Sequence, residues 1–500
     1  MNRVQRLLDR WGSWLALPAG AALSLAFAPT RLFALALLLP ALLYFLWQGV
    51  SPRRAALRGL LFTGGTFLAG TYWLYNSIHL IGQAPLWIAL FLMLGLVAIM
   101  GSYSAAQGYA AARWGIGDGP RRWMLLLPGG WVLVEWFRGW FMSGFPWLSL
   151  GYSQLDTPLR GYAPVLGIYG VSLAVAVCAG ALLTLLIGTR RSRMIALAVA
   201  VLTWAGGYAL SLVEWTQPTG RETSVALVQG AVPQSLKWEA GQRERTMQLY
   251  LALSQPYFGA DIIVWPEVAI PALASSVRGF LDEVGAMAES RGSTLVSGLL
   301  NHDPETDAYY NAMAVLSREE QWYYKRRLVP FGEFFPVPEF VREWMRLMNL
   351  PYSDFESGSE QQPPLAVAGE TLAPTICYED AYGVEQLALA RASTLLVNAT
   401  NDAWFGDSTA PHQHLDISRM RSLETGRSML RVANDGITAL IGHDGAVLGQ
   451  LEQFKASVLA GKVEPRTGNT PYMLWGNWPV LAIATLAVAG GLAWPRREPR

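Results

Sequence analysis

The sequence predicts a multi-pass α-helical membrane domain joined to a layered α/β domain. Three observations predict it. Apolar residues make up 52% of the 500 residues and charged ones only 15%, against roughly 25% charged in soluble domains. Only four of the 37 acidic residues (Asp9, Asp118, Glu135 and Asp156) precede position 214. The segment from 214 to 470 is normally charged and alternates strand-like with helical patterns. The mean hydropathy of +0.25 argues against an ordinary cytosolic enzyme. With 38 basic against 37 acidic residues, there is no electrostatic case for a nucleic-acid partner.

A bilayer-crossing helix needs ~20 mainly apolar residues. Eight stretches meet this: about 11–29, 32–50, 59–78, 85–112, 123–142, 164–188, 194–213 and 475–494. The expected organisation is a seven-span domain over 1–213, an outer domain over 214–470, and an eighth span with its tail over 471–500. Ala26-Phe27-Ala28 resembles a signal-peptide cleavage site, but Pro29 and a second apolar run follow at once.

Basic residues near the spans set orientation. Arg3, Arg6 and Arg10, then Arg53, Arg54 and Arg58, then Arg113, Arg121 and Arg122, then Arg190, Arg191 and Arg193, and finally Arg496, Arg497 and Arg500 fall on one side. The alternate side carries Arg31, Arg138 and Arg160. This asymmetry puts both termini in the cytoplasm and the 214–470 domain outside it. Tryptophans near the boundaries, such as Trp47, Trp114, Trp215 and Trp478, suit an interfacial belt.

In the outer domain the strand patterns are Val225–Gln229, Asp261–Trp265, Thr294–Leu300, Asn311–Leu316 with Trp322–Tyr324, Leu372–Ile376, Thr394–Asn398 and Ile437–Ile441. Helical patterns cover 239–254 and His412–Leu430. The alternation predicts a layered α/β domain, in which chemistry gathers at the carboxyl ends of strands.

Three polar residues stand at such ends. Glu267 follows Ile262-Ile263-Val264-Trp265-Pro266, and Cys377 ends Thr375-Ile376. Lys325, one of only four lysines, closes Tyr323-Tyr324. A thiol is mostly protonated and needs a base, which a buried Glu267 could supply. Lys325 could stabilise the oxyanion formed when sulfur attacks a carbonyl. The three would form an acyl-transfer set without histidine. The residues alone leave the bland readings open: a small buried thiol, a turn carboxylate and a charged face. Cys178 lies mid-span, so Cys377 is expected to be a free thiol.

Trp265-Pro266-Glu267, Lys325 with Glu333 eight residues on, and Cys377-Tyr378-Glu379 resemble the nitrilase (carbon-nitrogen hydrolase) superfamily. That resemblance implies an αββα sandwich and a Glu-Lys-Cys triad. Together with eight spans, the chain resembles the apolipoprotein N-acyltransferase family. The stretches Val232–Trp238, Leu328–Glu333, Asn398–Gly406, Ser143–Trp147 and Gly151–Gln154 are similar to that family's. The resemblance covers essentially the whole chain. It implies transfer of an acyl chain from a membrane phospholipid, through a Cys377 thioester, to the N-terminal amine of a diacylglyceryl-cysteine apolipoprotein. It implies no metal or cofactor, and a bacterial inner membrane with the catalytic domain on the periplasmic side. Glu333, Tyr378 and Glu379 are supporting candidates; Trp238, Phe145 and Trp147 are substrate-binding candidates. A membrane-tethered amidase that hydrolyses its thioester would share the triad. A transporter with an outer binding domain would be expected to show repeated span patterns, and none is visible.

Weaker signals remain. Phe340, Val341, Trp344, Leu347 and Met348 share one helical face and are candidates for an amphipathic lid. Glu135 and Arg138 sit at i, i+3 in a span and could pair. His412, His414 and Asp416 lack a recognised metal-ligand spacing, and Gly115–Gly119 follows no strand and is not a dinucleotide fingerprint. Asn398-Ala399-Thr400 matches a glycosylation sequon inside an expected strand.

Overall fold

The computed structural model describes residues 3–114, 117–317, 319–334 and 355–492. The lid candidates Phe340–Met348 and the C-terminal arginines lie outside them. The chain forms two compact units. The first contains Met1–Glu214, Phe405–Asp416 and Thr470–Arg500; the second contains Trp215–Trp404 and Ile417–Asn469.

The first unit is helical: α1 (Arg3–Leu23), α2 (Leu35–Leu46), α3 (Pro52–Gly70), α4 (Leu86–Trp114), α5 (Leu127–Arg138), α6 (Ala163–Ile187), α7 (Arg190–Ser211) and a last helix at Trp478–Leu492. Among the described residues, three helices are long and apolar enough to cross a membrane: Leu86–Trp114, Pro158–Ile187 and Arg190–Ser211. Leu35–Leu46 and Trp478–Leu492 are shorter apolar helices. Phe91, Leu202 and Leu486 are 70–71% exposed, so these helices turn large apolar side chains outward, as a hydrocarbon solvent favours.

Inside this unit Glu135 and Arg138 do not close on each other; both brace the 147–150 segment. Glu135 accepts from Trp131 Nε1 at 2.8 Å and from the Leu150 amide at 2.9 Å. Arg138 donates to the Trp147 carbonyl at 2.8 Å and Ser149 Oγ at 3.1 Å. The 405–416 segment belongs here through its own contacts. Phe405 packs edge-on against Trp73 with 4.9 Å between ring centroids. Gln413 accepts from Trp147 Nε1 at 2.7 Å and Trp73 Nε1 at 3.2 Å, and Arg31 pairs with Asp416 at 2.7 Å.

The second unit is built on two six-stranded sheets. The first runs β13-β2-β3-β4-β5-β6: β2 (Thr223–Gln229), β3 (Ile262–Trp265), β4 (Thr294–Asp303), β5 (Ala308–Leu316), β6 (Gln321–Tyr324) and β13 (Ser457–Val463). The second runs β12-β11-β10-β9-β8-β7: β7 (Leu365–Val367), β8 (Glu370–Ile376), β9 (Leu395–Thr400), β10 (Met429–Ala433), β11 (Ala439–Ile441) and β12 (Val447–Gln450). A two-stranded ribbon pairs β1 (Gln217–Pro218) with β14 (Arg466–Thr467). Helices Gln242–Ser254 and Arg278–Glu289 cover the outer face of the first sheet, burying Val228, Ile263, Trp265, Leu281, Val284, Leu295 and Leu299. Helix Gly383–Arg391 packs on β8. The two sheets meet on their inner faces, where β2 touches β10 and β5 touches β8. This is an αββα sandwich.

Topology explains why strand ends converge. In the first sheet β3 and β4 are parallel, while β4–β5 and β5–β6 are antiparallel. Hence β6 runs with β3, and their carboxyl ends share one edge. In the second sheet β8, β9 and β10 are mutually parallel.

Several expected elements are corrected. The 412–430 helix is Ala410–Thr425. Gly426, at φ +61°, supplies the left-handed residue that ends helices. Met429–Ala433 beyond it is wholly buried and pairs in parallel with β9. The 239–254 helix starts at Gln242, after Gly241. Strands β7, β12 and β13 have no counterpart in the expected set; β12 alternates exposed with half-buried residues, and β13 is mostly half-buried with Gly461 and Lys462 interrupting its apolar run. Asn398 lies fully buried within β9, where a glycan has no room.

Candidate active site

Glu267 follows β3 and is 7% exposed. Its turn lies directly on β4 because position 298 is glycine: a Cβ there would stand 2.4 Å from the Pro266 carbonyl oxygen and 2.6 Å from Glu267 Cα. Such separations are far inside van der Waals contact. Lys325 is the first residue after β6, is 1% exposed, and receives its register from its own amide, which donates to the Asn311 carbonyl at 2.8 Å.

The Lys325 ammonium lies 2.9 Å from Glu333 Oε1 and 3.3 Å from Glu267 Oε1. Asn311 on β5 binds the same two oxygens through Nδ2, at 2.7 Å for Glu267 and 2.9 Å for Glu333. The second Glu267 oxygen accepts from the Asn401 amide at 2.8 Å, and Glu333 Oε2 accepts from Val329 N at 2.8 Å. One ammonium and one amide thus tie two carboxylates into a fixed cluster. Burial alone would push the Lys325 ammonium down, but Glu333 and Glu267, with a smaller part from Cys377, outweigh it and hold it well above its ordinary value. It stays a cation.

Cys377 comes directly after β8, opens the 3₁₀ turn Cys377–Ala381 and is half-buried. Its φ is +52°, a left-handed conformation that a side-chain-bearing residue adopts at a cost of about 1–3 kcal/mol. Burial pushes its thiol well above the ordinary range, and the Glu267 charge adds to this; Lys325 and a Thr400 hydrogen bond work the other way. The sulfur therefore lies within the electrostatic reach of both partners. At neutral pH it is a thiol.

The turn holding the sulfur is pinned by Glu379, which is 2% exposed. Its Oε2 accepts from Ile376 N at 2.7 Å, and its Oε1 accepts from Arg326 N at 2.7 Å and Arg327 N at 3.2 Å. Tyr323 donates to the same carboxylate at 3.1 Å. Burial raises the Glu379 carboxyl, and the amides of Ile376 and Arg326 partly counter it. One side chain therefore links the backbone beside Cys377 to the backbone beside Lys325. Tyr378 packs edge-on against Tyr382 at 5.1 Å.

Sequence reasoning missed the amide and guanidinium layer behind these residues. Asn398 Nδ2 donates to the Cys377 carbonyl at 3.2 Å and Thr375 Oγ1 at 3.0 Å. Arg431, fully buried, donates to Asn398 Oδ1 at 2.9 Å, Ser418 Oγ at 2.8 Å and Asp402 Oδ2 at 2.8 Å. Asn434 ties Asn401 to the Val232 carbonyl at 3.0 and 2.8 Å. The only sequence signal for Arg431 was a charge amid an apolar run, Met429–Ala433.

The substrate-binding candidates belong to different units: Trp238 to the second, Phe145 and Trp147 to the first. Trp238 is 57% exposed in the second unit, just after the short helix Gln234–Lys237. Trp147 is 2% exposed in the first unit and stacks on Phe145 with centroids 6.0 Å apart. Among the described residues, no group of three His, Cys, Asp or Glu side chains is arranged to hold a metal.

Comparison with known proteins gives two family matches. Residues 19–181 match the apolipoprotein N-acyltransferase N-terminal domain, and residues 224–472 match the carbon-nitrogen hydrolase family. The chain is 40% identical to an apolipoprotein N-acyltransferase of Methylococcus capsulatus over 97% of this chain and 96% of that protein. It is 40% identical to that of Pseudomonas putida, over 96% of both. It is 41% identical to that of Chromobacterium violaceum, over 96% of this chain and 93% of that protein.

Proposed function

The chain belongs to the apolipoprotein N-acyltransferase family, and from that membership we propose that its acyl transfer runs through Glu267, Lys325 and Cys377. The observation that carries the reading is the buried cluster of Lys325 between Glu267 and Glu333, at 3.3 and 2.9 Å, within electrostatic reach of a left-handed cysteine.

Glu267 takes the proton from the Cys377 thiol as sulfur attacks the ester carbonyl of a phospholipid. Charge gathers on the former carbonyl oxygen, and Lys325 stabilises it. The ester C–O bond breaks, Glu267 returns the proton to the leaving alkoxide, and a lysophospholipid departs from a Cys377 thioester. The neutral N-terminal amine of a diacylated apolipoprotein then attacks that thioester. Glu267 takes a proton from the amine nitrogen, the C–S bond breaks as the amide forms, and the proton returns to sulfur. This is ping-pong chemistry. Glu333 and Asn311 hold Lys325 and Glu267 in place, and Glu379 fixes the nucleophile's turn.

The eight apolar stretches are assigned as spans, with both termini in the cytoplasm and the catalytic domain on the periplasmic side of a bacterial inner membrane. The basic-residue asymmetry supports this. A site near that surface spares both substrates the extraction of their chains, which costs about 0.8 kcal/mol per CH₂. Trp238, exposed beside the site's short helix, is assigned to the acyl-chain approach.

The test is mass spectrometry of the purified protein incubated with phospholipid. An acyl adduct on Cys377, discharged by a diacylated lipoprotein peptide and missing in Cys377→Ala, is expected. Free fatty acid with no peptide acylation would favour the hydrolytic alternative.

A further inference from the structure

Asparagine is a poor strand former, yet Asn398 stands within β9, in the wholly buried run Leu395-Leu396-Val397-Asn398-Ala399-Thr400. A buried amide costs free energy unless its donors and its acceptor are used. Asn398 uses both ends. Its Nδ2 donates to the Cys377 carbonyl at 3.2 Å and to Thr375 Oγ1 at 3.0 Å, and its Oδ1 accepts from Arg431 Nη1 at 2.9 Å. A guanidinium has donors only, so Arg431 dictates which way the amide faces: oxygen toward itself, nitrogen toward the nucleophile. Arg431 is held in turn by Asp402 Oδ2 at 2.8 Å and Ser418 Oγ at 2.8 Å, with Asp380 Oδ2 at 3.7 Å.

Strands β8 and β9 are parallel neighbours with Thr375 opposite Asn398, so the amide reaches forward past the end of β8 to the residue that follows it. That residue, Cys377, has φ +52°, outside the regions that side-chain-bearing residues favour. Relaxation would proceed by rotation about its N–Cα bond. Such a rotation carries the carbonyl carbon and Cβ together, because both are bonded to one tetrahedral Cα. A pinned carbonyl therefore holds Cβ, and with it the arc on which the sulfur can lie. On the other side of Cys377, Glu379 fastens Ile376 N at 2.7 Å. Glu379 thus fixes where the strand ends, and Asn398 fixes how the chain leaves it.

We propose that Asn398 is a positioning residue for acyl transfer that acts through Cys377: by binding the nucleophile's own carbonyl it keeps the left-handed backbone in place and so aims the sulfur. This rests on the assignment of Cys377 as the nucleophile. Acyl transfer needs sulfur, base and ammonium aligned on one carbon, and a misplacement of ~1 Å costs about 10²-fold. Alkylation by a small soluble reagent needs the thiol but no fixed partner beside it. The two reactions therefore separate alignment from reactivity.

The experiment follows acyl-adduct formation on Cys377 by mass spectrometry over a range of phospholipid concentrations, in the full-length protein in detergent micelles. The wild type, Asn398→Ala and Thr375→Val are compared, with iodoacetamide alkylation of Cys377 and thermal melting measured alongside. In Asn398→Ala the maximal rate of acylation is expected to fall by about 10- to 100-fold, while the half-saturating phospholipid concentration stays put. Alkylation is expected to stay within about threefold of the wild type, since no charge is added or removed. Thr375→Val takes away the amide's other acceptor, keeps the Cys377 bond and should lose far less. Acylation at the wild-type rate in Asn398→Ala overturns the inference, as does alkylation that falls in step with acylation, or an equal loss in Thr375→Val. Should Asn398→Ala fail to fold, Asn398→Asp keeps the shape and the acceptor for Arg431 but, ionised, has no donor for the carbonyl. Acylation at the wild-type rate in that variant overturns the inference, and a loss of about tenfold or more supports it. Absence of any acyl adduct on Cys377 in a wild type that iodoacetamide alkylates would instead defeat the catalytic reading itself.

Discussion

At Cys377, two opposed influences meet. Burial and the Glu267 charge favour the thiol, while Lys325 favours the thiolate. Removing the Glu267 charge therefore has two effects of opposite sign. In Glu267→Gln, alkylation of Cys377 by iodoacetamide at pH 7 is expected to quicken several-fold, because one of the influences raising the thiol is gone. Acyl transfer in the same variant is expected to fall by about 10²–10⁴-fold, the usual worth of a positioned base. Slower alkylation than in the wild type would contradict this account. The Lys325–Glu333 contact of 2.9 Å gives a milder expectation: Glu333→Gln keeps the shape of the cluster and should lose less transfer than Glu267→Gln in a single-turnover assay.

Turns and strand ends carry the next level of control. The Pro266–Glu267 turn rests on a glycine of β4, so Gly298→Ala must displace it. Overpacking of this kind costs about 1–3 kcal/mol. A lowered melting temperature together with lost transfer is expected, while Gly279→Ala, where an added Cβ meets open space, should change neither. The turn from β10 to β11 holds Asp435, 8% exposed with Oδ1 buried and unpartnered. Burial and then Asp402 push its carboxyl up to about 6, against a Phe454 amide that lowers it. A value raised on folding adds stability at low pH and loses it as pH rises through about 6. Asp435→Asn should therefore stabilise the protein by about 2 kcal/mol at pH 8 and by little at pH 4. Equal melting shifts at both pH values would refute it.

The same scale shows what the sequence made legible. Glu267, Lys325 and Cys377 could be found because each stands at the end of a recognisable strand within a short motif. Asn311, Asn401 and Arg431 could not: a buried amide or guanidinium is declared only by the partners that folding brings to it. Strand β10 was hidden because its arginine breaks the apolar run and the preceding helix pattern continues past Gly426 until the backbone turns. Glu135 and Arg138 have the spacing of a pair, yet each found better-placed backbone partners.

For the whole molecule, the assigned orientation makes a direct expectation. In a Cys178→Ser, Cys377→Ala background, a membrane-impermeant maleimide added to spheroplasts should label Glu305→Cys, exposed in the second unit, and should label Arg191→Cys only after lysis. The reverse pattern would invert the topology. The sandwich has a further consequence. Glu267 and Lys325 are mounted on one sheet and Cys377 on the other. Ile263 and Trp265 pack under the covering helices, so alternation turns Val264 toward the opposite sheet; Arg431 reaches Ser418 of the helix Ala410–Thr425 and also donates to Asn398 beside it, so Val397 and Val432 turn to the face away from that helix by the same rule. These small hydrocarbons stand between the sheet that carries Glu267 and Lys325 and the sheet that carries Cys377. Trimming one of them, well away from any reacting atom, should loosen the reaction's tolerances before it loosens the protein.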